Sequence, residues 1–195
     1  FKKYIIMYWS SLTSKLYEVD FRNLKEYVIN EVAKEYSKKF GINLNELKRY
    51  LERIPIYISD LGKKFGGTVL GAYKFYTDGK SIYSPEIYIS PIVLSNPILF
   101  IRTISEELSH ALQSYLGFIK GIKSYALNFF RKIHNIYEYF NHPLEKEAKE
   151  IAEKVTSKYF FSAIISLYSA LTNSVRNIYK FFNKFFEWTI VFFVK

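Results

Sequence analysis

The chain has 195 residues, enough for one domain with a genuine core, or for one domain with a helical extension. It has no Cys, which excludes disulfides, thiolate metal sites and Cys nucleophiles; His110, His134 and His142 are a small stock for a His-rich metal centre. A net charge of +10, from 28 Lys and Arg against 18 Asp and Glu, favours polyanionic partners such as nucleic acid or an anionic membrane surface.

Residues 1–20 begin apolar and aromatic, from Tyr4 to Trp9, and show no clear period. From Asn23 to Phe40, apolar side chains recur at three- and four-residue spacing (Leu24, Tyr27, Val28, Val32, Tyr36), which predicts a helix closed at Gly41. A second, short helix is expected over Leu44–Arg53, with Asn43 as its N-cap. The period then changes to that of strands. Ile54–Asp60, Thr68–Tyr76 and Ser84–Pro91 are extended segments, and Asp78-Gly79 is the turn between the last two. The prolines bounding Ser84–Pro91 suggest a sheet edge.

After Pro97 the pattern is helical. One helix is expected from Ile98 to Tyr115, ending at Gly117, and another from Leu144 to about Phe161, opened by Pro143 with Glu145, Glu147 and Glu150 near its start. Ser162–Lys195 reads as helical and aromatic. No run reaches the roughly 18 uninterrupted apolar residues of a spanning helix. No secretory leader is evident, so the expected location is intracellular or virion-associated.

Residues 103–113, Thr-Ile-Ser-Glu-Glu-Leu-Ser-His-Ala-Leu-Gln, carry the densest chemistry. Glu106 and His110 stand at i and i+4, on one helix face, as two metal ligands would. Glu107 follows the first of them. The stretch resembles the His-Glu-x-x-His helix of metallopeptidases with Glu106 in place of the first His, and it ends in the His-Ala-x-Gln of that family, at Gln113. With the strand block upstream and Asn-His-Pro-Leu-Glu-Lys-Glu-Ala downstream, residues 54–155 resemble a minimal gluzincin-type (zincin-like) metallopeptidase.

The resemblance implies a predominantly helical α+β fold with a small, mostly antiparallel sheet, whose edge strand binds extended peptide. The chain is accordingly read as an N-terminal helical segment at 1–53, a zincin-like core at 54–161 and an aromatic, basic C-terminal helix at 162–195, the flanking helices resting on the residue pattern and not on the resemblance. Glu106, His110 and Glu147 take the positions of the metal ligands, Glu145 is the less favoured third ligand, and Glu107 takes that of the general base. Two carboxylates and one imidazole reduce a metal's Lewis acidity relative to a His-rich set and lean toward harder ions. The expectation is therefore a scaffold with lost or altered peptidase activity. It holds either no cofactor or a divalent metal, Zn or Mn, and takes a peptide substrate only if active. The abundance of Tyr (18) and Phe (18), with Ile, Lys and Asn, resembles proteins of hyperthermophilic archaea and their viruses.

A second reading rests on charge. Lys120, Lys123, Arg131 and Lys132, together with Arg176, Lys180 and Lys184 of the tail, could line a phosphate-contacting stripe. The tail is a basic amphipathic helix with an aromatic face suited to its own core, to a second copy, or, third in order, to a membrane interface. This alternative is a basic, self-assembling structural protein that binds nucleic acid, as a virion or nucleocapsid protein does. No Gly-x-Ser-x-Gly, phosphate-binding loop or dinucleotide fingerprint is present. His134 and His142 read as surface and loop residues.

Overall fold

The computed structural model describes residues 2–61, 69–129 and 136–193, with side chains over 21–61, 69–129, 137–139 and 141–180. In chain order these form α1 (Lys2–Phe40), α2 (Leu44–Glu52), β1 (Ile56–Ile58), β2 (Gly71–Thr77), β3 (Ile82–Ile89), a 3-10 turn (Pro91–Ser95), α3 (Pro97–Ser114), a π-helical turn (Tyr115–Ile119), α4 (Lys123–Phe129), α5 (Ile136–Asn141) and α6 (Pro143–Phe193). The chain divides into two compact units, Phe1–Thr156 and Ser157–Lys195. Residues 1–53 and the strand block thus belong to one unit. The fold is α+β and predominantly helical.

Local chemistry accounts for the helix ends. Gly41 closes α1 at φ +66, a left-handed conformation that glycine adopts without steric penalty, and its N–H bonds the Ser37 carbonyl at 2.9 Å. Asn43 caps α2 by accepting from the N–H groups of Asn45 (2.8 Å) and Glu46 (3.3 Å). Asn96 does the same for α3, at Ile98 (2.8 Å) and Leu99 (3.3 Å), with Pro97 in the first turn. Gly117 does not end a helix. It lies in the π-helical turn, where an added Cβ would come within 2.8 Å of the Ala126 backbone, so the glycine permits close approach of α4.

The sheet has the order β1-β3-β2, with β1 parallel and β2 antiparallel to β3. It is therefore mixed, with the antiparallel β2–β3 ladder the longer of the two. β3 is its central strand and not an edge, despite Pro85. Two features accommodate the proline. β1 pairs only with Ile87–Ile89, beyond Pro85, and on the other side the ladder with β2 skips between Lys74 and Tyr76, opposite Ser84-Pro85. Ser84 takes φ +46 there, as a bulge requires. Ile87 and Ile89 of β3 are buried, and the sheet packs against α3.

The core lies around α3. Ile101, Ile104, Leu108 and Leu112 are fully buried, and α1 packs on α3 and α2, burying Val28, Val32, Ala33 and Tyr36. Against them α6 buries the stripe Leu144, Ala148, Ala152 and Val155, spaced as one face of a helix. Tyr27 ties α1 to α6 by donating to the Val155 carbonyl at 3.1 Å. Among the described residues, no helix is long and apolar enough to cross a membrane.

Replacing Asn43 by Ala removes both cap hydrogen bonds of α2. The expected outcome is a loss of about 1 kcal/mol in unfolding free energy, read from the midpoint of urea denaturation with an unchanged slope.

Candidate metal centre

α3 is unusual for a core helix in the polar side chains it buries. Thr103, Ser105, Glu107, Ser109, Gln113 and Ser114 are all buried, and Glu106 and His110 are half-buried. Some of these groups are satisfied locally: Ser109 Oγ donates to the Ser105 carbonyl at 2.7 Å, and Ser114 Oγ to the Ala111 carbonyl at 2.8 Å. The stripe Glu106, His110, Gln113 follows the i, i+4, i+7 spacing of one helix face. It is turned toward the start of α6.

There Glu106, His110 and Glu145 converge. Each offers a ligand atom, and these atoms lie within 4.8 Å of one another. His110 Nε2 stands 3.3 Å from Glu145 Oε1. Glu145 is 8% exposed, and its Oε2 has Lys149 Nζ at 3.8 Å, beyond hydrogen-bond distance. The donor set fits a divalent cation chemically: two carboxylates and one imidazole, all within the span that a single ion bridges after a small contraction. Burial raises the Glu106 pKa above the ordinary carboxylate range; the charge of His110 opposes this shift and that of Glu145 adds to it.

Glu147, expected as the third ligand, lies elsewhere. Its carboxylate accepts from Tyr125 Oη at 2.8 Å on both oxygens, from Gln113 Nε2 at 3.0 Å and from Lys39 Nζ. Glu145 and Glu147 are two residues apart, about 200° of helix rotation. They flank the buried stripe of α6 on opposite sides, and only the Glu145 side meets His110. The less favoured of the two candidate glutamates is thus the one at the cluster.

Glu107 is buried on the sheet side of α3. Its carboxylate faces the first residue of β2: a Cβ added to Gly71 would lie 2.5 Å from Glu107 Oε1 and 2.8 Å from Thr103 Cγ2, so only glycine fits. The Tyr73 backbone N–H donates to it. Burial, then the charges of Glu106 and Glu145, push the Glu107 pKa well above the usual carboxylate value, and the Tyr73 hydrogen bond offsets only part of this.

A cavity of about 510 Å³ opens on this site, lined among others by Gly71, Tyr73, Glu107, His110, His142 and Glu145. A second, of about 600 Å³, shares Gly71 and Glu107 and adds Arg102, Glu106 and Lys149. Among the described residues β2 pairs with β3 alone, and its Gly71–Phe75 stretch lines the first cavity. Phe75 closes one wall against Phe118 and Phe129, with ring centroids at 5.8 and 5.3 Å.

Three cavity residues went unread in the sequence. His142, expected as a loop residue, does lie between α5 and α6, but it is buried and lines the cavity. Tyr139 donates a hydrogen bond to Glu145, and Tyr73 bonds Ser114 Oγ at 2.8 Å. A His immediately before a helix-opening Pro was the available signal for the first. Nothing local marked the two tyrosines among the 18 of the chain.

Four of the seven expected polyanion contacts have described side chains. Lys120 is paired with Glu46, Lys123 is exposed on α4, and Arg176 and Lys180 are exposed on the Ser157–Lys195 unit. Arg131, Lys132, His134 and the side chain of Lys184 lie outside the described residues.

No family model matches this chain, nor does any curated protein or solved structure.

Glu147→Ala removes the acceptor shared by Lys39, Gln113 and Tyr125. The expected cost is about 2–3 kcal/mol of stability in chemical denaturation. Glu145→Ala, which releases Glu106 from like-charge repulsion, is expected to leave stability unchanged or slightly raised.

Proposed function

We propose that this chain is a divergent zincin-like metallopeptidase scaffold that holds a divalent cation through Glu106, His110 and Glu145, with its hydrolytic chemistry altered. The observation that carries this reading is the convergence of those three side chains near a buried Glu107, with His110 and Glu145 lining one cavity beside β2 and Glu106 lining the adjoining one. Bound there, a divalent metal would supply Lewis acidity to a water or a carbonyl oxygen.

The chain's own residues argue for altered chemistry. A general base must hold an ionised carboxylate at the operating pH, within reach of the proton it takes. Burial keeps Glu107 protonated to higher pH than an ordinary glutamate, and its carboxyl is already engaged by the Tyr73 N–H. Glu106 in place of an imidazole adds negative charge to the ligand set, which weakens the polarisation of a bound water. Both effects oppose fast peptide hydrolysis and leave binding intact.

The test is metal content by elemental mass spectrometry after loading with Zn²⁺ or Mn²⁺ and dialysis. Wild type and Glu107→Gln should retain close to one ion per chain, and Glu145→Ala should lose it. Wild type that retains neither ion would sink the reading. Where metal is retained, cleavage of an unstructured peptide mixture should be slow and should disappear in Glu107→Gln.

A second reading, assembly through the C-terminal unit, has its own observation. Phe160, Phe161, Ile164, Ile165, Leu167 and Tyr168 are all exposed, as are Leu171, Val175, Ile178 and Tyr179. Apolar side chains displayed along one helix at this density favour burial against another surface. Sedimentation velocity on the full chain should give a species larger than 23.1 kDa that dissociates when Phe161, Ile165 and Tyr168 are changed to Ser. A monomer at all concentrations would exclude self-assembly by this helix.

A further inference from the structure

One fully buried polar side chain on α3 touches the cluster from behind. Gln113 has no exposed surface, and its carboxamide is fixed at both ends. The Nε2 group donates to the Leu144 carbonyl at 2.9 Å and to Glu147 Oε2 at 3.0 Å. Oε1 lies 2.9 Å from His110 Nδ1.

These contacts allow a single orientation of the amide. A carbonyl and an ionised carboxylate only accept hydrogen bonds, so the NH₂ must face Leu144 and Glu147. The flipped amide would set its oxygen against two acceptors. Oε1 therefore faces His110, and Nδ1 must carry the hydrogen that it accepts. The lone pair of a neutral His110 then resides on Nε2, inside the cluster with Glu106; Glu145 Oε1 is 3.3 Å from it, a contact between two acceptors that is favourable only with a proton or a cation between them. Behind Gln113 the acceptor is itself immobilised, since Tyr125 Oη bonds both Glu147 oxygens at 2.8 Å and Lys39 adds a charge-assisted contact.

We infer that Gln113 is the positioning residue of this centre: backed by Glu147 and Tyr125, it holds His110 as the Nδ1–H tautomer and so delivers the Nε2 lone pair to a cation shared with Glu106 and Glu145. The inference rests on the metal-binding reading for its last step only. The Nδ1–H form is the minority tautomer of a free imidazole in water, so the protein must impose it, and the hydrogen bond on the far nitrogen is how a ligand histidine is set. This gives Glu147 a role that the motif had assigned differently. It sits behind the histidine and orients it at one remove.

The experiment is long-range ¹H–¹⁵N correlation of the ¹⁵N-histidine-labelled full chain, metal-free, at a pH where the imidazoles are neutral. Wild-type His110 is expected to show a protonated Nδ1 and an unprotonated Nε2, and Zn²⁺ should shift the Nε2 resonance while Nδ1 keeps its hydrogen. In Gln113→Leu the ring should revert toward Nε2–H, and Zn²⁺ affinity should fall about 10- to 100-fold. Tyr125→Phe, which leaves Gln113 in place, should weaken binding less and retain the tautomer.

An Nε2–H His110 in the metal-free wild type would overturn the inference, and so would Gln113→Leu with unchanged tautomer and affinity. The wild-type spectrum needs no variant to fold. An Nδ1–H His110 that takes up no Zn²⁺ would uphold the tautomer assignment and overturn the metal-binding reading instead.

Discussion

The carboxylate of Glu147 is the constraint on which the candidate site depends. It is reached from α1 by Lys39, from α3 by Gln113 and from α4 by Tyr125, while it belongs to α6. Four helices thus meet at one anion. A mostly buried carboxylate is tolerated only when its charge is matched and its lone pairs are used, and here both conditions hold. Because three donors from three elements must point at the same two oxygens, the rotation of α6 about its axis is fixed. That rotation brings Glu145 to His110.

On the other side of α3, the polar burial follows a different logic. Glu107 has one backbone N–H as its donor and two carboxylates as electrostatic neighbours, and a strand glycine is pressed against it. An anion in that position would be strongly penalised, and protonation removes the penalty. Two glutamates of one chain, Glu107 and Glu147, are therefore kept in opposite electrostatic settings by what surrounds them. The one with cationic and phenolic donors is held as a structural anchor. The other faces the cavity, and burial with two neighbouring carboxylates raises its pKa.

Much of this was legible from residue order, for reasons that can be named. Caps are local: Asn43 and Gly41 act on backbone groups within a few residues, so the ends of α1 and α2 could be read directly. The face shared by Glu106 and His110 is likewise a property of one helix. The choice between Glu145 and Glu147 was not local. Both flank the same apolar stripe, and which flank meets His110 depends on how the two helices pack, information carried by Lys39 and Tyr125 at distances of 108 and 22 residues. The central place of β3 was hidden for a similar reason. Pro85 signals an edge unless the ladder is known to break opposite it, and the break is made jointly by Ser84 and the register of β2. His142, Tyr139 and Tyr73 come together only through the tertiary fold.

The same geometry sets Glu106 among charged neighbours. His110, oriented from outside the cluster by Gln113, stands beside two carboxylates, Glu106 and Glu145, whose like charges repel. Some positive charge is already supplied by Lys149, whose Nζ is 3.8 Å from Glu145 and 5.4 Å from the centre of the Tyr139 ring. An ammonium so placed stabilises the carboxylates without a metal and competes with one. On the proposed reading, affinity would follow from how far a cation outbids Lys149 for Glu145. Hard ions with strong carboxylate preference would gain most from the exchange. A cation so held would bind by charge and have little polarising power to spare for catalysis.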